Sequence, residues 1–154
     1  MISIRRASPE DAEQLTQITI SSKRYWNYPE NWIQAWLASL TITSEYILAN
    51  ETWVAVVNEK CVAYYSLKYD DEYLWLDNLW VLPEFMGRGI GRRLFHHALE
   101  RSRARGESVL KIEADPNAQS FYERMGAHKV GEHRSMVDGQ TRVLPIMSVT
   151  SVVC

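Results

Sequence analysis

Hydrophobic and polar positions alternate and recur in a way that divides the chain into short elements. Ile2 and Ile4 alternate with Ser3 and Arg5, the period of a half-buried strand. Ser8-Pro9-Glu10-Asp11 is a helix start, with Ser8 as cap and Pro9 at the first helical position. Ala12, Leu15, Ile18 and Thr19 follow at helical spacing, and Trp32 and Trp36 share one face of a second helix. Between these helices Tyr25-Trp26-Asn27-Tyr28 reads as a loop. Thr41 to Asn50 predicts a short helix capped by Thr43 or Ser44. Thr52–Val57 and Cys61–Tyr69 form a hairpin around a three-residue loop, Asn58-Glu59-Lys60. After a turn at Asp70-Asp71-Glu72 comes the strand Tyr73–Leu82.

Ile90, Leu94, Phe95, Ala98 and Leu99 mark a helix to about Arg105, closed by Gly106. Ser108–Ala114 alternates as a strand, and Pro116–Met125 reads as a helix ended by Gly126. Ala127–His133 and Arg142–Val153 are two strands across a polar loop, Ser135–Thr141, with Pro145 weakening the start of the last one. No long linker or repeat divides the chain. The order predicts one domain over residues 1–154, an α/β chain with a mixed sheet and helices on both faces.

Composition narrows the function classes. The chain has 154 residues, 46% hydrophobic and 23% charged, with a net charge of −2. That balance gives no argument for nucleic acid or an anionic membrane as partner. No apolar run approaches the roughly 18 residues of a membrane span, and the charged N-terminus lacks a signal core. A cytoplasmic location follows as the expectation. Cys61 and Cys154 make neither a metal spacing nor a disulfide framework, and adjacent His96 and His97 cannot form an i, i+4 metal pair, so no metal is expected.

Candidate chemistry centres on Leu79 to Arg93. An apolar strand turns at Pro83, passes Gly87, Gly89 and Gly91, and becomes a helix. The first turn of a helix offers unpaired N–H groups and a positive dipole end. Glycines let a phosphate approach them, and Arg88, Arg92 and Arg93 add positive charge. The segment is therefore read as a pyrophosphate grip. A P-loop would need four residues between its first Gly and a Gly-Lys-Ser/Thr, and a dinucleotide fold would need G-x-G-x-x-G; neither spacing occurs here.

Met86-Gly87-Arg88-Gly89-Ile90-Gly91 resembles the R/Q-x-x-G-x-G/A acetyl-coenzyme A motif of the GNAT N-acetyltransferases at both glycine positions and departs from it at the first, where Met86 replaces the usual Arg or Gln. Asp115 to Ala127 resembles the family's later N-x-x-A-x-x-x-Y-x-x-x-G-F/A motif, matched at Ala118, Tyr122 and Gly126. The resemblance covers about Tyr73 to Ala127. It implies an about seven-stranded, mostly antiparallel sheet split in a V, with about four helices on its two faces. Acetyl-coenzyme A would sit in the split, its pantetheine pairing with the backbone of Leu79, Trp80 and Val81. Met86, Gly87, Arg88, Gly89, Ile90, Gly91 and Arg92 would take the pyrophosphate, with Ser120 and Tyr122 further along. Either Asp115 or Asn117 would meet the pantetheine; Asn117 is preferred because an amide both donates and accepts.

Acyl transfer to an amine needs a base for the ammonium proton, a donor for the oxyanion and a proton for the thiolate. The resemblance implies Tyr122 as the general acid and a backbone N–H at or near Val81 as the oxyanion donor. Asp77 stands where many family members carry an acid. It would take the proton directly or through a water, or else be a solvated strand carboxylate. Its ordinary pKa of about 3.9 is low for a base, so burial would have to raise it. Tyr25, Trp26 and Tyr28, with Asn78, are the candidate acceptor contacts, since aromatic faces attract apolar and cationic groups. Gly131 to Ser135 and Gly139 to Pro145 resemble a small-GNAT subgroup whose terminal strands close over the acceptor. The expected activity is transfer of an acetyl group to a primary amine of a small molecule or peptide in a ternary complex. The rival is a non-catalytic acyl-coenzyme A sensor. Exposed terminal strands also admit a homodimer.

Overall fold

A computed structural model describes residues 1–151. Cys154 and the predicted strand end at Val153 lie outside them. The seven strands are β1 (Ile2–Arg6), β2 (Glu51–Val57), β3 (Lys60–Tyr69), β4 (Leu74–Val81), β5 (Val109–Glu113), β6 (His128–Val137) and β7 (Gln140–Thr150). The five helices, one more than the family resemblance implies, are α1 (Ala12–Tyr25), α2 (Glu30–Leu40), α3 (Ser44–Ala49), α4 (Ile90–Ala104) and α5 (Gln119–Arg124). The strands form one sheet in the order β1-β2-β3-β4-β5-β7-β6. Every neighbouring pair is antiparallel except β4–β5.

Helices cover both faces, and two adjacent tyrosines of β3 show how. Successive side chains of a strand point to opposite faces. Tyr64 bonds Thr19 of α1, whereas Tyr65 bonds His97 of α4 at 2.6 Å. Both tyrosines are fully buried, so α1 and α4 lie on opposite sides of the sheet.

Several local expectations change. Asn58 and Glu59 alone turn the β2–β3 hairpin, both with positive φ, and Lys60 already belongs to β3. The predicted polar loop Ser135–Thr141 is mostly strand, with Asp138-Gly139 at its tip. Two-residue turns of positive φ match the twist of paired strands, which is why they replace longer loops here. Tyr25 ends α1 instead of starting a loop. Pro116–Ala118 is a 3-10 turn, so the helix proper begins only at Gln119. Pro145 sits inside β7, opposite Glu132. Its carbonyl accepts from Ala114 N–H at 2.9 Å, on the side where β5 ends. A residue's N–H and C=O leave a strand on the same side, so the N–H that proline lacks costs no bond to β6. Among the described residues no helix is long and apolar enough to cross a membrane.

The sheet is tied to α4 by Glu51, whose side chain is 1% exposed. Its carboxylate accepts from Trp53 Nε1 and from Arg105 Nε, each at 2.8 Å, and from Arg101. Burial alone would raise the Glu51 carboxyl, but these donors overcome it and hold it at about 2. A depressed carboxylate stabilises the fold above its unfolded pKa and loses that contribution as pH falls through the folded value. Glu51→Gln should therefore cost about 2 kcal/mol at neutral pH, the scale of hydrogen bonds to a charged group. In urea titrations the gap to the wild type should close as pH is lowered from about 4.5 toward 2; a gap that persists there would refute the ion-pair account.

Candidate active site

The site begins where β4 and β5 stop pairing. They are in register at Leu74–Leu110 and Trp75–Lys111 and then diverge. A bulge helps to shear them apart. On β4, Asn78 opposes Ser66 and Leu76 opposes Leu67, so Asp77 is an extra residue. Beyond it the backbone of β4 faces the split at alternate positions. Leu82 N–H bonds back to Val62 of β3, so Leu82 and Trp80 point their backbone groups toward β3. Leu79 and Val81 therefore point theirs into the split. Val81 carbonyl accepts from Ser22 Oγ there at 2.8 Å, leaving its N–H directed into the opening.

Past Val81 the chain makes a 3-10 turn at Pro83–Phe85 and enters α4 through Gly89, whose φ is +80°. A side chain at that left-handed position would be strained. The first α4 bond runs from Arg93 N–H to Gly89 carbonyl at 3.1 Å. The amides of Gly89, Ile90, Gly91 and Arg92 donate to nothing among the described residues. A Cβ placed at Gly87 or Gly89 would meet no atom within 4 Å, so the space above these amides is open. Four free amides at a helix N-terminus, beside open space, fit a phosphate group.

A cavity of about 370 Å³ runs from this turn into the split. Its lining includes nine of the expected cofactor contacts: Leu79, Trp80, Val81, Met86, Gly87, Gly91, Asn117, Ser120 and Tyr122. Gly89 and Ile90 do not line it; Ile90 turns its side chain into the core, 2% exposed. Arg88 lies over the Phe85 ring at 5.0 Å, and Arg92 is exposed; neither side chain lines the cavity. Ser22, Phe121 and Arg124 line it without having been expected, and Asp115, the alternative to Asn117, lines it as well. Trp26, expected at the acceptor, lines this cavity instead, edge-on to exposed Tyr25 at 4.9 Å.

A smaller recess of about 50 Å³ opens on the other part of the split, with Asp77, Asn78, Glu113 and Ile112 in its wall. Trp80, Leu79, Asp115, Ala118 and Tyr122 line both spaces. Tyr122 is 6% exposed; its hydroxyl bonds to no described residue and, since no buried polar side-chain atom among the described residues lacks a partner, is open to the cleft. Burial, and then the charge of Asp115, push this phenol well above its ordinary range, so it stays protonated. Asp77 is exposed, at the bulge of β4, and does not have the burial that the reading as a base required. Tyr46 of α3 donates to its carboxylate. Burial and the Asp77 charge raise the Tyr46 phenol, which keeps that donor protonated. Asn78 is held by Ser66 Oγ at 3.0 Å and accepts from Trp80 Nε1 at 3.0 Å. It thus orients Trp80.

The largest feature missed by reading the sequence is a buried charge cluster. Asp115 accepts from Lys23 Nζ at 2.7 Å, Arg142 at 3.2 Å and Tyr28 OH at 2.9 Å. It also accepts from the backbone N–H and side-chain amide of Asn117, at 2.9 and 3.0 Å. Burial works to raise the Asp115 carboxyl; Lys23, Asn117 and Tyr28 outweigh it and hold it below the usual carboxylate range. Lys23 lies within 5.2 Å of the ring centres of Tyr28, Trp36 and Trp80. Arg142 covers Tyr28 and Trp36. Tyr28, a candidate acceptor contact, thus has two of the protein's own cations against its ring. Asn117 spends its amide N–H groups on Asp115 and Tyr28, leaving its Oδ1 for a ligand.

The GNAT acetyltransferase family model matches residues 13–127. The chain is 30% identical over 150 residues to the peptidyl-lysine N-acetyltransferase YjaB of Salmonella typhimurium, covering 97% of each. It is 28% identical over 137 residues to the uncharacterized N-acetyltransferase YafP of Escherichia coli, covering 86% of this chain and 85% of that one. Its fold is similar to a GCN5-related N-acetyltransferase of Rhodopseudomonas palustris (TM-score 0.83, 24% identity, 96% of this chain and 94% of that one). It is also similar to the PaiA N-acetyltransferase of Thermoplasma acidophilum in complex with coenzyme A (TM-score 0.76, 21% identity, 97% and 99%). The chain belongs to the GNAT acetyltransferase family. It is an N-acetyltransferase that uses acetyl-coenzyme A.

Removing the carboxylate that neutralises Lys23 and Arg142 leaves two buried cations unpaired. Asp115→Ala should cost about 3 kcal/mol of unfolding free energy, the lower end for a broken buried pair. A urea-unfolding loss below about 1 kcal/mol, the scale of an exposed pair, would contradict this account.

Proposed function

We propose that the enzyme moves its acetyl group onto a primary amine of a small molecule or a peptide side chain, by direct attack with both substrates bound. The observation that carries this is Tyr122, a largely buried side chain whose hydroxyl bonds to no described residue and which lines both the cofactor cavity and the smaller recess. Acetyl-coenzyme A supplies an activated thioester carbonyl when bound. The amides of Gly89 to Arg92 would hold its phosphates, and the backbone edge of Leu79 and Val81 its pantetheine, as an added strand.

The remaining steps belong to side chains and backbone of this chain. Val81 N–H, directed into the split, donates to the carbonyl oxygen as charge builds there. Tyr122 gives its proton to the departing sulfur; burial keeps that proton in place until it is needed. Asp77 receives the ammonium proton through a water at the mouth of the split, its carboxylate fixed by Tyr46. Cys61, the free thiol among the described residues, is buried in β3 near Arg5 and Asp11 and does not line the cavity, which favours direct attack. The Salmonella relative is named for peptidyl-lysine, and a narrow recess walled by carboxylates suits the unbranched cationic end of a lysine.

Two variants separate carrier binding from chemistry. Tryptophan fluorescence, with Trp26 and Trp80 in the cavity wall, reports coenzyme A binding. Gly89→Glu should abolish it through backbone strain and a negative charge at the phosphate amides. Tyr122→Phe should leave coenzyme A affinity unchanged and lower kcat by about 100-fold, the lower range for general acid catalysis. A kcat within about threefold of wild type would remove Tyr122 from the mechanism.

A further inference from the structure

We infer that the bond between Tyr65 and His97 is an acid-released latch, which holds α4 to the sheet only while the imidazole is neutral. Tyr65 is fully buried, and its hydroxyl has one side-chain partner among the described residues, His97 Nδ1 at 2.6 Å. A hydroxyl carries one proton, and burying it without an acceptor is costly. His97 Nδ1 must therefore accept, which fixes the ring as the neutral tautomer with its proton on Nε2. Protonation of the ring puts a hydrogen on Nδ1 as well. That nitrogen then donates to the phenol oxygen, and the phenol proton, turned away from it, meets no side-chain acceptor among the described residues.

The surroundings are built against an imidazolium. From β2, the Trp53 ring lies 4.6 Å from the His97 ring, centre to centre. Arg6 of β1 and Arg101 of α4 already lie over that indole, at 5.7 and 5.8 Å. A charged His97 would be the third cation around one ring. Arg93, one turn earlier on α4, adds positive charge and is tied to the Ile2 carbonyl at 3.4 Å. Of the carboxylates nearby, Glu51 of β2 is committed to Arg101 and Arg105. Glu100 of α4 is exposed, where water and salt screen its attraction. Burial lowers the imidazole below its ordinary range; Glu100 and Glu51 pull the other way, and Arg101 works with burial. The latch joins two parts of the cofactor wall. α4 begins with the amides that face the cavity, and Tyr65 pairs with Leu79 of β4.

An imidazole kept neutral by the fold binds its proton more weakly there than in the unfolded chain. Its contribution to stability is complete above the unfolded value of about 6.5 and is lost as pH falls below it. Nitrogen NMR of the imidazole at about pH 7 reports the tautomer, and urea unfolding at about pH 7 and 5.5 reports the linkage. The wild type should show the Nε2–H form of His97. His97→Asn offers an amide oxygen to the phenol but cannot titrate, so its unfolding constant should rise about threefold less than that of the wild type over this range. Tyr65→Phe removes the proton that needs an acceptor, and NMR titration of His97 should then move to higher pH. A proton on Nδ1 at neutral pH, an equal rise in wild type and His97→Asn, or a His97 titration unmoved in Tyr65→Phe overturns the inference.

Discussion

The structure depends on a parallel strand pair that is allowed to pair only at its start. β4 and β5 share two residue pairs and then separate, so the backbone of Leu79 and Val81 faces a cleft in mid-sheet. Unpaired strand edges are normally covered or blunted, because their N–H and C=O groups seek partners. Here the separation is enforced from both sides. On β4 the extra residue Asp77 breaks the register. On β5 the chain turns away at Ala114, whose N–H is taken by Pro145, and Asp115 is then pinned by side chains from α1, the α1–α2 connection and β7.

That pin is energetically expensive. Three ions leave water together, and each carries a desolvation cost of several kcal/mol. One carboxylate faces two cations, so charge balance alone does not close the account. The aromatic residues around Pro29 supply what is missing. The faces of Tyr28 and Trp36 attract both cations, and Trp80 attracts Lys23. Trp36 of α2, backed by Trp32, thus serves a purpose between packing and recognition. It stabilises the charge that keeps the cleft open, and it links the terminal hairpin to the cofactor wall through Arg142.

The parts of this architecture that were legible in the sequence are those written in local pattern. Strand alternation, the Ser8-Pro9 helix start and the glycines of the central turn each reflect backbone geometry within a few residues. The two motif segments gave the cofactor wall, and nine of its expected residues converge on one cavity. What stayed hidden depends on contacts between distant residues. Lys23 looks like a polar position on a helix until Asp115, 92 residues away, meets it. The bulge at Asp77 comes from register against Ser66 and Leu67, which no run of residues encodes. The short turns at Asn58-Glu59 and Asp138-Gly139 were missed because strand twist selects them from among several loop lengths. Glu113 reads as an ordinary strand carboxylate until β4 parts from β5.

The buried charge also reaches the chemistry. Asp115 is held ionised for structural reasons, yet its charge adds to burial in keeping the Tyr122 phenol protonated. A phenol so disposed is a poor acid toward water and becomes useful only toward a base stronger than itself or one held against it. In the proposed mechanism a departing thiolate held against Tyr122 meets the second condition, since position compensates for an unfavourable pKa. The amides of α4 put positive potential at one opening of the split, and Asp77 and Glu113 put negative potential at another. Opposite polarity at the two openings suits the proposed placement of an anionic carrier at one and a cationic amine at the other, and Tyr122 lies where the two spaces meet. The same separation of strands that exposes a backbone edge therefore brings Tyr122 to the point where the cavity and the recess meet.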